Sequence, residues 1–550
     1  MIKILIAISL SLILFGGVNI EKEVKSNKVI YELIDDYKKY STDSSDEIEL
    51  TDDITVRVKL DVEEFNGEDY DVSHEDKNSY REKAKQYYTS INEGYVENIE
   101  LFTYQDMYIS KYSPYINYTF DRSTFNKYET YIINEINEKS YIETAYIREN
   151  FIINRDQFIS GTVDNAGAWA QWNNNYHTGA GVIVGVLEPG LVDETLAIFD
   201  DISVTVLRQN TPNEAVHEHS TFMAGCIAGR EGVAKDASIL SACLYGVMDE
   251  EVDWMLDNNV DIINMSYGDA NPTGIYDSDS CYADYIVNQY KITMVAAVGN
   301  SGEESGFCGN PSLGYNVVSL GAANDGVVPS DYSAYLEAEG CAPKPTLVLV
   351  GSAVSIPSMD VCASGTSVSS ACASGLIALL MEAYPTLKTN PEKLQAILVS
   401  SARQHPYAVL LPNGFCEPLG AGMIHYENFQ EHYLDAYTIM NVNGRTGVYI
   451  HTKTLELTAG TKMRFSIAWT AYTNGQVSSL KYTNYDLYLF DADGNIVATA
   501  NSTNANIELI TFTVPTTGTY KLKIKQLGTV KKINEKIGIS YGEAAGYYIE

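Results

Sequence analysis

Positive charge is scarce in this 550-residue chain. Lys and Arg together number 37 against 72 Asp and Glu, a formal net charge of −35. A polyanion of that size is repelled by phosphate backbones, which argues against nucleic acid as a partner and against electrostatic docking on anionic lipid. Cysteine is confined to eight positions, all between 226 and 416, and no C-x-x-C pair occurs, so a zinc site is not expected. Long apolar runs are absent after the N-terminus, leaving no second membrane-span candidate. What is present is 45% hydrophobic residues, enough for large cores, and a length that calls for two to four domains.

The N-terminus has a basic start at Lys3, an uncharged apolar run from Ile4 to Val18, and then Glu21-Lys22-Glu23. That order is a secretory signal pattern, read over 1–20, and the run is short for a span of about 20 residues. An uncleaved N-terminal anchor is the lesser alternative. No cysteine follows the run, so a lipid anchor has no support. Secretion permits disulfides. Cys226, Cys243 and Cys372 lie in apolar runs and read as buried thiols, whereas Cys281 with Cys308 is the expected bridge.

Three stretches differ in character. Residues 21–155 are acidic and rich in Tyr and Asn. Alternation predicts strands over Ile54–Leu60, Met107–Phe120 (one long or two short) and Tyr141–Ile147, with helices over Lys77–Val96 and Ser123–Glu138. A small α/β sandwich accommodates that order. Residues 156–432 turn to continuous apolar strands: Gly181–Leu187, Ala237–Cys243, Ile262–Met265, Thr293–Ala297 and Val317–Leu320. Helical stretches such as Ser220–Ala228 and Glu250–Asn258 fall between them. Strands buried on both faces and alternating with helices predict a doubly wound α/β domain with a parallel sheet. Residues 433–550 alternate with period two in six segments between Val448 and Lys525, which predicts a β-sandwich. Asp491-x-Asp493-Gly494 reads as a hairpin turn. An EF-hand loop needs an acid at its twelfth position, where this chain has Ser502.

Chemistry-bearing residues cluster at strand ends and helix starts of the middle stretch. Ser364-Gly-Thr-Ser367-Val opens a helix rich in small residues. A serine there lies in the field of the helix N-terminus, beside backbone N–H groups that can face an oxyanion. His219-Ser-Thr-Phe-Met-Ala-Gly225 opens another. Val186-Leu-Glu188-Pro-Gly190 ends a buried strand on a carboxylate, on the rim where α/β folds build sites. Asn264-Met-Ser266-Tyr-Gly268 and Val295-Ala-Ala-Val-Gly-Asn300-Ser-Gly302 end two more.

From Gly161 to about Tyr426 these blocks resemble the subtilisin-like serine proteases (subtilases), whose triad runs in the order acid, His, Ser. The resemblance implies a secreted serine endopeptidase with Ser367 as nucleophile, His219 as general base and Asn300 as oxyanion donor. It makes Ser266, Tyr267 and Gly268 the strand that binds substrate and lines the primary pocket. Protein or peptide substrates are implied. No cofactor is expected to be required and no metal ligand is assigned. Structural calcium is a family feature whose ligands cannot be mapped here. Two departures stand out. Glu188 occupies the family's Asp position, with Asp193 as the competing acid, and Phe222 stands where the family has a second His. His217 is a rival register for the base, but only His219 has Thr at +2 and Ala-Gly at +5 and +6. The alternative reading is a catalytically impaired relative that acts as a binding protein. An α/β-hydrolase esterase is excluded, since G-x-S-x-G around Ser367 and the order Ser, acid, His are both missing. The N-terminal strand and helix order resembles the family's propeptide, which implies a zymogen cut near Asn154–Gly161. The C-terminal stretch resembles sandwich domains appended to secreted proteases.

Overall fold

The computed structural model describes residues 28–32, 46–96, 99, 104–155, 177–208, 215–244, 246–269, 272–302, 305–324, 327–405, 408–441, 446–528 and 535–545. The signal-like run 1–20 and residues 156–176, which hold most of the expected cleavage stretch, lie outside the described residues.

The N-terminal part is a five-stranded sheet with two helices. Its elements are β1 (Val29–Glu32), β2 (Asp46–Leu60), α1 (Lys77–Val96), β3 (Asp106–Ile109), β4 (Tyr115–Asp121), α2 (Arg122–Glu138) and β5 (Ile142–Arg155), and the strand order is β1-β5-β2-β4-β3. Ile54, Val56, Val58 and Leu60 of β2 share a core with Phe125, Ile132 and Ile136 of α2. Asp121 caps α2 by accepting from Thr124 N at 2.9 Å. The intervening residues Thr55, Arg57 and Lys59 point to the other face, as the pleat requires, yet they too are buried. β1 escapes the sequence reading because four residues carry no legible period.

The middle part is built on β6 (Ile183–Glu188), β7 (Val204–Val206), α3 (Glu218–Ile227), β8 (Ser238–Cys243), α4 (Asp249–Asp257), β9 (Ile262–Met265), α5 (Ser278–Tyr290), β10 (Thr293–Ala297), β11 (Val318–Ala323) and β12 (Leu347–Val350). These seven strands form one sheet in the order β12-β11-β10-β9-β6-β8-β7, and every pair in it is parallel. A short hairpin, β13 (Val354–Ile356) and β14 (Val361–Ala363), leads into α6 (Thr366–Ala383), followed by α7 (Pro391–Ser401) and α8 (Tyr426–Leu434). The strands alternate between two cores. Val184, Val186, Ile239, Ile262 and Val295 face α3, α6 and α7. Leu187, Leu240, Ile263, Met265 and Met294 face α4 and α5. Because helices cover both faces, both sets of residues must be apolar, which is why these strands read as continuous runs. Helix α6 is long and apolar enough to cross a membrane, but it is buried in the first of these cores.

The C-terminal part holds β15 (Tyr437–Asn441), β16 (Val448–Leu457), β17 (Lys462–Trp469), β18 (Tyr485–Phe490), β19 (Ile496–Ala500), β20 (Ile507–Thr513), β21 (Gly518–Gln526) and β22 (Glu535–Glu543). Two antiparallel sheets, β15-β22-β17-β20 and β16-β21-β18-β19, enclose a core of Phe465, Ile467, Trp469, Leu487, Leu522 and Ile539. Asp491 to Asn495 is a hairpin turn, closed by Asn495 N donating to Asp491 Oδ1 at 2.8 Å. The sandwich is fused to the middle domain. The guanidinium of buried Arg464 on β17 donates to the carbonyls of Val399, Ala402 and Ala421 at 2.7 to 2.9 Å. A cation there satisfies carbonyls that the end of α7 leaves unpaired.

All eight cysteines are free thiols. The expected Cys281–Cys308 bridge is therefore not formed. Cys281 lies within α5 with Sγ 3.1 Å from Thr473 Oγ1, whereas Cys308 packs in a separate cluster with Val298, Leu313 and Ala334. Cys226, Cys243 and Cys372 are buried, as their apolar surroundings predicted.

Candidate active site

Glu188 is the last residue of β6 and is fully buried. Its neighbour strand β9 ends beside it, so Ser266 N reaches Glu188 Oε1 at 2.9 Å. The other oxygen, Oε2, lies 3.2 Å from Nδ1 of His219. His219 stands in the first turn of α3. His217 caps that helix, its Nδ1 accepting from His219 N at 3.2 Å, so the rival histidine has a local structural task. Asp193, the competing acid, is turned to its own loop: Oδ1 accepts from Thr195 N at 3.0 Å and Thr195 Oγ1 at 2.6 Å.

Ser367 stands in the first turn of α6, which packs against α3. Its hydroxyl donates to the Ser266 carbonyl at 2.9 Å. Ser266 thus touches acid and serine at once, through its N–H and its C=O. Gly365 precedes the helix at φ +155°, and a Cβ there would lie 3.5 Å from Asn300 Nδ2. Asn300 follows β10. Its Oδ1 accepts from both Thr366 N and Thr366 Oγ1 at 3.0 Å, while Thr366 Oγ1 accepts from Gly299 N at 3.1 Å. The amide is therefore clamped by its oxygen, with its Nδ2 beside Gly365.

A polar relay beneath Ser367 was not singled out in the sequence. Ser266 Oγ donates to Ser367 O at 3.0 Å and lies 2.9 Å from Ser370 Oγ. Asn264 Nδ2 donates to Ser266 Oγ at 2.8 Å, and Asn264 Oδ1 accepts from Ser374 Oγ at 3.1 Å. These bonds fasten the first three turns of α6 to the end of β9. The signal was available: Ser367, Ser370 and Ser374 repeat at three and four residues, one face of a helix. Tyr267 departs from its expected place. It is 6% exposed and packs in the core against α4 and α5, and its hydroxyl is buried with no hydrogen-bond partner among the described residues. Among the described residues no group of three or more His, Cys, Asp or Glu is arranged to hold a metal ion.

A carboxylate, an imidazole and a serine hydroxyl at the carboxyl ends of parallel strands, beside a clamped amide, are the groups a serine peptidase uses. Residues 179–424 match the subtilase family, which makes this part of the chain a subtilisin-like serine endopeptidase domain. Residues 449–526 match the bacterial pre-peptidase C-terminal domain. Subtilisin DY of Bacillus licheniformis is 27% identical over 237 residues, covering 39% of this chain and 81% of that protein. The human membrane-bound transcription factor site-1 protease is 27% identical over 274 residues, 44% of this chain but only 25% of that protein. Among solved structures, the prenylagaramide maturation protease PagA is 20% identical and covers 49% of this chain and 98% of that one, with a TM-score of 0.38.

Proposed function

We propose that this subtilase cleaves peptide bonds through an acyl-enzyme, with Ser367 as nucleophile, His219 as general base, Glu188 as the acid and Asn300 as oxyanion donor. The observation that carries the reading is the 3.2 Å approach of Glu188 Oε2 to His219 Nδ1, made while Oε1 is fixed by Ser266 N. The glutamate side chain reaches from the end of β6 to both partners. In the reaction, Ser367 Oγ attacks the scissile carbonyl and passes its proton to His219 Nε2. The buried carboxylate holds the imidazole in the tautomer that can accept that proton and then stabilises the imidazolium. The leaving amine takes the proton from His219, and a water repeats the cycle on the acyl-enzyme. Asn300 Nδ2 and backbone N–H groups at the start of α6 donate to the oxygen as it becomes negative. Substrate backbone pairs with 266–268.

Asn300→Ala is expected to lower kcat about 10²–10³-fold, because the lost donor acts on charge that develops only in the transition state. KM for an internally quenched peptide stays within about twofold. A proportional rise in KM with unchanged kcat would instead make Asn300 a ground-state binding residue.

We further propose that the protein is secreted as a zymogen, on the strength of the basic and apolar start and of the propeptide-like order of β2 to β5. N-terminal sequencing of active secreted protein is expected to give a start between residues 154 and 161. A start near residue 20 with no second start between 154 and 161 in fully active protein would contradict the zymogen reading.

A further inference from the structure

The N-terminal sheet presents a face that no isolated domain would build. Arg57, on β2, is 1% exposed, and Arg81, on α1, is 3% exposed. Their partners lie on the middle domain. Arg57 donates to Asp249 Oδ1 at 2.8 Å, and its guanidinium carbon lies 3.9 Å from the ring centre of Tyr115 and 4.6 Å from that of Tyr282. Arg81 donates to Val260 O at 2.9 Å, just past the end of α4. Lys85 pairs with Asp257 at 2.6 Å, Lys77 with Asp261 at 2.5 Å and Arg148 with Asp279 at 3.0 Å. Asp253, buried within α4, accepts from Tyr108 Oη, Ser110 Oγ and Lys111 N at 2.7 to 2.8 Å. In a chain of net charge −35, cations are thus drawn to one face of one domain, opposite a row of aspartates on α4, α5 and the loops beside them.

Apolar burial crosses the same boundary. Phe65, Tyr80, Ala84 and Tyr88 belong to the cluster of Leu256, Tyr285 and Tyr290. The phenols of Tyr88 and Tyr285 meet at 2.8 Å. Separation would return these rings to water and leave Asp249 and Arg57 each without its ion. Removing one partner within the seated interface, as a substitution does, leaves the other charge buried and unpaired.

A third domain closes the contact. The loop between β17 and β18 pairs with itself at Tyr472 and Lys481, and its tip lies on the N-terminal sheet. Gly475 O accepts from Tyr115 Oη at 2.6 Å, Asn474 Nδ2 donates to Glu143 Oε1 at 3.3 Å, and Gln476 Nε2 donates to Thr144 Oγ1. Gly475 has φ +90°, and a Cβ there would stand 2.5 Å from Tyr115 Oη. The loop tip is shaped to this neighbour.

We propose that the N-terminal domain is a permanent subunit of the folded protein. When the chain is cut between residues 155 and 177, the domain stays seated on α4 and α5, and the 472–481 loop acts as the clasp that retains it. The interface is core-like, with buried ion pairs and shared aromatics, unlike the wet and polar contacts of partners that exchange. The inference holds whatever the identity of the nucleophile.

The test uses the full chain with Ser367→Ala, so that no self-cleavage intervenes, and with a recognition sequence for an unrelated site-specific protease inserted between 155 and 177. After complete cutting, the two fragments are expected to co-elute on size exclusion at about 10 nM, with no exchange against labelled N-terminal fragment over hours. Elution of the N-terminal fragment by itself would overturn the proposal. Arg57→Met in the same background is expected to speed dissociation about 10²-fold or more. Since that variant disturbs the N-terminal domain itself, Gly475→Val supplies the independent arm, because it alters only the clasp. It is expected to speed exchange roughly tenfold, by forcing the loop off Tyr115. An exchange rate in Gly475→Val equal to that of the parent would overturn the clasp.

Discussion

Replacing Ser367 by alanine will lower kcat about 10⁶-fold and leave the protein folded. That magnitude is the one known for the triad serine of subtilisin itself, and the same reasoning applies wherever a serine is the attacking atom. Without Oγ no acyl-enzyme forms, and what survives is the catalysis of Asn300 and the helix N-terminus acting on a water. The fold has little stake in the hydroxyl. It makes one hydrogen bond, to Ser266 O, whereas the relay that fastens α6 runs through Ser266 Oγ, Ser370 and Ser374. One neutral bond contributes about 1 kcal/mol, so the thermal midpoint should move by only a few degrees. Hydrolysis of a quenched peptide, followed alongside thermal unfolding, checks both halves. Loss of activity accompanied by collapse of the fold would mean that Ser367 is structural.

Glu188→Gln will lower kcat/KM about 10³–10⁴-fold, through the tautomer of His219. Ser266 N is a donor, so it selects the amide oxygen of a glutamine at 188 and turns the amide N–H toward His219 Nδ1. Nδ1 must then accept, the ring proton moves to Nε2, and Nε2 can no longer take a proton from Ser367. An amide in place of a triad carboxylate has an effect of this size in other serine proteases, with geometry intact. Asp193→Ala is the matching control, expected to leave kcat/KM within about threefold, because Asp193 serves the Thr195 turn. If the losses fall the other way, on Asp193 and not on Glu188, the acid has been misassigned.

Much of the middle domain was legible because its physics is local. Val184, Val186 and Leu187 had to be apolar together, since helices lie on both faces of β6, and that produces an unbroken apolar run. Ser367, His219, Glu188 and Asn300 were legible because each sits where a strand ends or a helix begins, with small residues behind it. The three-residue β7, exposed at its middle residue, gave too short a run to read. In the sandwich, β22 carries two glycines and breaks its own alternation.

The relations between domains were not legible at all. Alternation marked β2 as a strand with an apolar face. It said nothing of what covers Arg57, because its partner Asp249 lies nearly 200 positions later. The same distance defeated the cysteine reading. Compartment and polar flanks suggested a bridge for Cys281, but α5 turns its thiol to Thr473 of the sandwich.

The most direct test of the central claim is covalent labelling of wild-type protein with a fluorophosphonate, followed by peptide mapping. The reagent reports one property, a serine whose neighbours make it a nucleophile. The account predicts a single adduct on Ser367, formed at a rate that drops sharply in Glu188→Gln and is unchanged in Asp193→Ala. An unlabelled Ser367 in correctly folded and processed protein, or an adduct on a different serine, would contradict it.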